Sequence, residues 1–351
     1  MKNIWIKDLK PGTEVVDFFV LRKKELKEYN GQKYLKFELG DPSGRIDAVL
    51  WEKAEESYSE AETGEIVKVK GMAITYKDGL EIKIEKLRKV KEGESDPLDF
   101  LPRSQVALEV LFEKFKGKSE SITNPHLKRL MDLILEDNKL IDKLKYAPGA
   151  KLWHHSYLGG LLEHTLKVVE FCEKAADLYE LVDRDLLITG ALLHDIGKIY
   201  TYSITGFIDF TDEGRLLGHI VSGDEIVRQK IRKVENFPQE LALQLRHLIL
   251  SHQGQLEFAS PVVPQTLEAI ILYYADEMDA KAGAFTEIIM RDRQSRIGKK
   301  WSDWVPLISR YIYLGDEMVK PISPSSEEEK ADNPSQADTA ATSLPARPTD
   351  P

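Results

Sequence analysis

The sequence predicts a multi-domain chain: an all-β barrel, then an all-α helical bundle, then a disordered C-terminal tail. Three observations carry this. Apolar residues alternate with period two up to Val90 and recur with helical spacing from Gln105 onward. Lys91–Pro102 (KEGESDPLDFLP), charged and punctuated by Gly and Pro, separates the two regimes. Pro321–Pro351, rich in Pro, Ser, Ala and Asp, has no periodicity. The 351 residues suit two domains, which places a barrel at 1–90, a linker at 91–102, a helical domain at 103–320 and a tail at 321–351.

In the first region Val15, Asp17, Phe19 and Leu21 share one phase of an alternating run. Tyr34–Leu39, Ile46–Trp51, Ile66–Lys70 and Leu80–Ile84 repeat it. Asn30-Gly31, Asp41-Pro42-Ser43-Gly44 and Lys77-Asp78-Gly79 are the turns between them. Five short strands make a small closed or partly open barrel, and an SH3-like barrel competes on the same pattern. In the second region Val106, Leu108, Val110, Leu111 and Phe115 lead in. Asn124-Pro125 then starts a helix with Leu127, Leu130, Met131, Ile134 and Leu135 on its inner face. Six or more helices are expected to about Leu314. One runs from Leu158 to Val182 with the stripe Leu161, His164, Val168, Phe171, Ala175, Leu178.

Composition narrows the function. The longest apolar run, near Ala269–Ala275, falls short of the ~18 residues a membrane span needs. The N-terminus has no apolar core of a secretory signal. A single cysteine, Cys172, forbids an internal disulfide framework and fits a reducing, cytoplasmic setting. The net charge of −10 reads against broad adhesion to nucleic acid, but the tail's two basic and six acidic residues account for four of those charges.

The chemistry concentrates in the helical region, where seven of the eight histidines lie between His154 and His252. His164 sits on an inner stripe. His194 continues Leu187 and Ala191, with Asp195 beside it. His219 shares a face with Gly223 and Ile226, His252 ends the stripe Leu241, Leu245, Leu248, and Asp276 interrupts Ala269, Tyr273, Ala280. One inward histidine is ordinarily a satisfied core residue. A His-Asp dyad flanked by four more inward His and Asp residues buries charge that a cation would compensate. Mixed imidazole and carboxylate ligands suit Mn, Fe, Co, Ni or Zn, and a set without cysteine argues against structural zinc.

The order H…HD…H…H…D on successive helices resembles the HD-domain metal-dependent phosphohydrolases. It is more similar still to the YhaM-type 3′–5′ exoribonucleases, which join an N-terminal OB-fold to an HD domain. The segments that carry the resemblance are HHSYLGGLLEHT (His154–Thr165), ALLHDIGK (Ala191–Lys198), EGRLLGHI (Glu213–Ile220), LSHQGQLEFASPVVP (Leu250–Pro264) and ADEMDAK (Ala275–Lys281). It implies that the barrel is OB-like. It also implies that His164, His194, Asp195 and Asp276 hold one divalent ion and that His219 and His252 hold a second, with Asp195 bridging. Mn2+ is the first expectation, with one or two ions. The implied activity is hydrolysis of phosphodiester bonds in single-stranded RNA, and in ssDNA as a further substrate, by a metal-activated hydroxide. Asp195 and Lys198 would be the catalytic residues, Lys198 meeting a substrate phosphate. His247, His154, His155 and Asp279 are further candidates for the metal or the pocket, Asp279 as support for a ligand histidine. The sequence departs from the pattern at Gln253, where a second His is usual, and at Ala259, where Gly is usual. The alternative is an HD-domain phosphohydrolase or phosphodiesterase of small nucleotides, with the barrel as a regulatory module. Oligomeric state is open.

For the strand itself, Tyr34, Trp51 and Tyr76 with Lys36 and Lys70 are candidate nucleic-acid contacts on the barrel, whereas Phe37 shares its phase with Leu35 and Leu39 and belongs in the core. A second cationic stretch, Arg291, Arg293, Arg296, Lys299 and Lys300, could guide a backbone. Its competing reading is an exposed helix face with Trp301 and Trp304 packed inward.

Overall fold

The computed structural model describes residues 2–77, 79–91, 93–151, 154–295 and 300–315. Asp78 of the expected turn, Arg296 and Lys299 of the cationic stretch, and the tail Pro321–Pro351 lie outside the described residues. Residues 1–290 form one compact unit, and 291–351 belong to a second.

The alternating runs form β1 (Glu14–Tyr29), β2 (Gln32–Asp41), β3 (Gly44–Leu50), β4 (Ile66–Tyr76) and β5 (Gly79–Lys89), with α1 (Ala54–Tyr58) between β3 and β4. They close in the order β1-β2-β3-β5-β4. Closure depends on the length of β1, whose first half pairs with β4 and whose second half pairs with β2 across a bulge at Leu21/Lys23. The parallel β3–β5 pairing and the helix before β4 make this an OB-type Greek-key barrel, not an SH3-like one. At the β4 bulge a Cβ on Gly71 would stand 2.3 Å from the Lys83 carbonyl oxygen, so only glycine lets β5 approach there. The interior is the predicted phase: Val15, Phe19, Leu21, Leu35, Phe37 and Leu39 are buried. Asp17 is buried in that phase as well. Its carboxylate accepts the backbone N–H groups of Asn3, Ile4 and Phe18, which ties the N-terminal segment to the barrel.

The helical domain comprises α2 (Leu108–Glu120), α3 (Pro125–Leu135), α4 (Asn138–Tyr146), α5 (Gly160–Leu178), α6 (Arg184–Leu193), α7 (Lys198–Thr201), α8 (Asp212–Leu216), α9 (Gly218–Ile231), α10 (Gln239–Ser251) and α11 (Leu267–Ser295). Asn124 caps α3 by accepting from His126 and Leu127, and Asp183 caps α6 by accepting from Leu186. One core runs from Leu111 through Leu130, Val168, Leu187 and Leu248 to Leu272.

Three expectations need correction. The domain does not stay helical, because Tyr202–Thr205 (β6) and Phe207–Phe210 (β7) form a hairpin about Gly206. Helix α5 stops at Leu178, short of Val182, and Phe171 and Leu178 are exposed. Leu161, His164 and Val168 of the expected stripe are buried, with Leu162, Val169 and Cys172 beside them, and the last turns of α5 lie beyond the elements that cover it. Residues 300–315 form no α-helix. They pair Trp301 with Tyr313 and Val305 with Arg310 around a short 3-10 turn.

The Lys91–Pro102 segment contributes to packing. Phe100 is buried with Phe18, Val20 and Ile66 of the barrel, and Leu101 with Leu158 and Ile208 of the helical domain. Gly206, at φ +77°, sits where a Cβ would stand 2.6 Å from the Gly64 carbonyl oxygen, so the tip of the hairpin rests on the barrel.

Candidate metal centre

Five chain segments deliver the histidines and aspartates to one point. His164 lies in the first turns of α5. Gly159 and Gly160 at that helix start are required by space: a Cβ on Gly159 would meet Leu108 at 2.3 Å, and one on Gly160 the His155 carbonyl oxygen at 2.0 Å. His194 caps the C-terminus of α6, and Asp195 stands in the turn before α7. They therefore end a helix; they do not lie within one as their spacing predicts. Gly197 of the same turn would place a Cβ 2.0 Å from the carbonyl oxygen of His219, so its lack of a side chain lets this turn press against α9. His252 follows α10 as its C-cap, and Asp276 lies on α11.

Asp195 is the centre, and its two oxygens face different partners. Oδ2 is 3.4 Å from Nε2 of both His164 and His194, and Asp276 Oδ1 is 3.1 Å from the same His164 nitrogen. Oδ1 is 3.3 Å from His219 Nε2 and 3.5 Å from His252 Nε2. The far nitrogens are already committed. His194 Nδ1 donates to the Ala191 carbonyl at 2.8 Å and His252 Nδ1 to the Ile249 carbonyl at 2.7 Å. His164 Nδ1 donates to Asp279 Oδ2 at 2.7 Å. A carbonyl only accepts, so Nε2 of His194 and of His252 points inward with a lone pair.

These residues fit divalent cations. His164 and His194 bring their Nε2 atoms to 3.3 Å, a repulsive approach unless a proton or a cation lies between them. Asp195 Oδ1, and Nε2 of His219 and His252, are buried with no hydrogen bond closed, while Asp195 Oδ2 has the Lys198 ammonium beside it at 2.6 Å. His164 with His194 and Asp195, and His219 with His252 and Asp195, each converge closely enough to hold an ion. The charges agree with the geometry. Burial pushes the Asp195 carboxyl up, but Lys198, His194 and His164 outweigh it and hold it well below the usual carboxylate range. Burial likewise opposes the Asp276 carboxyl, which His164 and His194 hold at about 2. Burial pushes His164 down, but the carboxylates of Asp195, Asp276 and Asp279 beside it outweigh burial and raise it well above its ordinary value, and His252 is raised by Asp195 in the same way. The carboxylates thus favour positive charge at this point. His219, where burial dominates, is pushed down to about 3.

A second layer supports the first. Asp279 Oδ2 bridges His164 and His155, at 3.0 Å from His155 Nε2, and His155 Nδ1 is 2.7 Å from the Tyr157 hydroxyl. Sequence reasoning missed Tyr157, although it lies within the HHSYLGG segment, because nothing in its spacing indicates a partner. His155 adopts a left-handed backbone, φ 63°, which non-glycine residues rarely hold. His154 packs its ring near His164, and burial pushes it down to about 4. Lys198 places its ammonium 2.6 Å from Asp195 Oδ2. His247 does not join the cluster, since its Nε2 accepts the Gln265 backbone N–H at 2.9 Å.

Residues 161–281 match the HD domain family, and residues 19–90 match the OB-fold nucleic acid binding domain family. The chain joins an OB-fold to an HD domain. The HD domain indicates a metal-dependent phosphohydrolase, and the OB-fold a domain of the kind that binds single-stranded nucleic acid. Among solved structures, a domain of replication protein A from Methanococcus maripaludis is 24% identical over 25% of this chain and 96% of its own, with a TM-score of 0.23. A replication protein A heterotrimer bound to ssDNA is 20% identical over 24% of this chain and 62% of its own, with a TM-score of 0.20. An asparaginyl-tRNA synthetase from Pyrococcus horikoshii is 13% identical over 69% and 61%, with a TM-score of 0.21. At such TM-scores these likenesses carry no weight for function. Among the described residues, no helix is long and apolar enough to cross a membrane.

Of the barrel residues expected to meet a strand, Lys70 is exposed and Tyr34, Lys36 and Trp51 are half-buried. On the OB-fold, Tyr34 stacks on Trp51 at 4.4 Å between ring centroids, and Tyr76 is exposed. Lys36 and Lys70 are paired with Asp47 and Glu85. Arg291 pairs with Asp292, and Arg293 donates to the Leu314 carbonyl. Trp301 and Trp304 are half-exposed, not packed inward, and each meets a tyrosine edge to face.

Proposed function

We propose that this protein is a metal-dependent phosphodiesterase that shortens single-stranded RNA from its 3′ end, and single-stranded DNA as a further substrate. The observation that carries the reading is Asp195, one buried carboxylate whose two oxygens each face a separate pair of imidazoles. His164, His194, Asp195 and Asp276 would hold one divalent ion, Mn2+ in the first instance, and Asp195, His219 and His252 a second. Such ions supply Lewis acidity toward phosphoryl oxygens and lower the pKa of water. The chain's own residues do the positioning. Asp279 holds the ring of His164, and the Ala191 and Ile249 carbonyls fix the tautomers of His194 and His252. Lys198, held beside Asp195, brings a cation to the place where phosphate charge must be balanced. The OB-fold, residues 1–90, would hold the strand and the helical region, 103–320, would cut it.

Incubation of the protein and Mn2+ with 5′-labelled single-stranded RNA tests this. A ladder of products shortened from the 3′ end is expected, abolished in the His194→Ala/Asp195→Ala variant. Turnover of mononucleotides with no shortening of the strand would replace the reading with that of a small-nucleotide phosphohydrolase.

A further inference from the structure

A cleft of roughly 390 Å3 lies between the OB-fold and the β6–β7 hairpin. Its cations outnumber its available carboxylates. Its lining cations are Arg22, Arg45 and Lys151, and Asp41 is its one lining carboxylate. On the barrel side Arg22 and Arg45 share Glu38, which lies outside the lining, at 3.2 and 3.8 Å. On the opposite side Lys151 and Arg215 share Asp209. Asp41 itself is taken by Lys2 and by the Ile6 and Ser43 backbone. Aromatic rings lie among these cations. The Arg22 guanidinium is 5.5 Å from the Phe207 ring, and Lys151 and Arg215 each stand 5.3 Å from Phe210, whose ring is partly exposed.

Surplus cations beside aromatic rings in an open cleft match the chemistry of a single-stranded polynucleotide, with phosphates on the cations and bases on the rings. On the outer face of the barrel Lys33, Lys36 and Lys70 differ, since each has a carboxylate of its own. Two chain segments also connect the cleft to the metal centre. The hairpin begins directly after α7, whose first residue is Lys198 beside Asp195. Lys151 and Ser156 of the cleft flank the loop that carries His154 and His155.

We propose that this cleft, not the outer face of β2 and β3, holds a single-stranded polynucleotide on its way to the metal centre. Arg22, Arg45 and Lys151 of the lining meet its phosphates and Phe207 its bases, and Arg215 and Phe210, which adjoin Lys151 at the cleft's edge, extend the track. The proposal rests on the phosphodiesterase reading above but is tested by binding alone.

Fluorescence anisotropy of labelled oligouridine and oligothymidine of about 12 nucleotides, in EDTA over a series of KCl concentrations, reads that binding. The variant is Arg45→Glu/Arg215→Glu, chosen because both side chains are more than half exposed, 57% and 59%, and reversal of their charge leaves the core intact. Its Kd is expected to rise at least ~10-fold for both strands, and its salt slope to fall by about 2, one for each phosphate no longer neutralised. Photocrosslinking of 5-iodouridine oligomers to the unmodified protein keeps the test independent of the variant's folding, with crosslinks expected on the peptide containing Phe207 and Phe210. Crosslinks on Tyr34 and Trp51, an unchanged Kd in a folded variant, or no binding by the unmodified protein would each overturn the proposal. A protein that binds through the cleft yet hydrolyses no strand with Mn2+ would overturn the phosphodiesterase reading alone.

Discussion

At the scale of single residues the centre is organised by what lies behind the ligand atoms. A histidine whose Nδ1 is held by an acceptor keeps its Nε2 aimed and basic, and His164 owes this to Asp279. Asp279→Asn should leave the fold intact and weaken Mn2+ binding by about 10–100-fold, read by titration calorimetry. Unchanged affinity would mean that Asp279 does not position the ring. His164, His194, His219, His252 and Asp276 were legible as candidates because a polar side chain on an apolar face is a one-dimensional signal. Tyr157 was not, because its partner, His155, is set by a loop whose backbone turns through a left-handed residue. His247, a further candidate near His252, is bonded instead to the Gln265 backbone.

At the scale of elements, the glycines and one alanine explain why the segments have the sequences they do. Gly197 lets the His194-Asp195 turn meet α9, and Gly160 lets the His155 loop meet α5; a methyl group at either site would enter a backbone carbonyl. Ala259, where the resemblance leads one to expect glycine, closes the short 3-10 turn Leu256–Phe258 at φ 65°. A residue with a Cβ pays about 1 kcal/mol for that conformation. Ala259→Gly should therefore raise Tm by about 2–4 °C in a thermal melt; a lower Tm would show that the alanine methyl packs better than the strain costs. Element types were legible from their periods. The β6–β7 hairpin was not, although YSITGFIDF alternates around a glycine, because four-residue strands between helices leave too short a run to outvote the helical pattern on either side.

At the scale of the molecule, the OB-fold and the helical region of residues 1–290 share apolar contacts. Phe100 fills a pocket made by Phe18, Val20 and Ile66, with Phe207 packed against it. Phe100→Ala should cost about 3–5 kcal/mol at this junction. Scanning calorimetry is then expected to show one transition in the unmodified chain and two in the variant. A single transition in both would mean that the two domains are coupled elsewhere. By itself the sequence determined the two regimes of periodicity, the core phase of each strand and the set of inward histidines and aspartates, because each follows from spacing along one chain. Only the tertiary structure decided that Asp195 faces two imidazole pairs and that Lys36 and Lys70 have carboxylate partners. It also decided that Arg22, Arg45 and Lys151 line one cleft, with Arg215 joined to Lys151 through Asp209. Those are juxtapositions of segments up to 129 residues apart, such as Arg22 and Lys151. Separations of that kind are set by how the packed elements meet, and no local pattern encodes them.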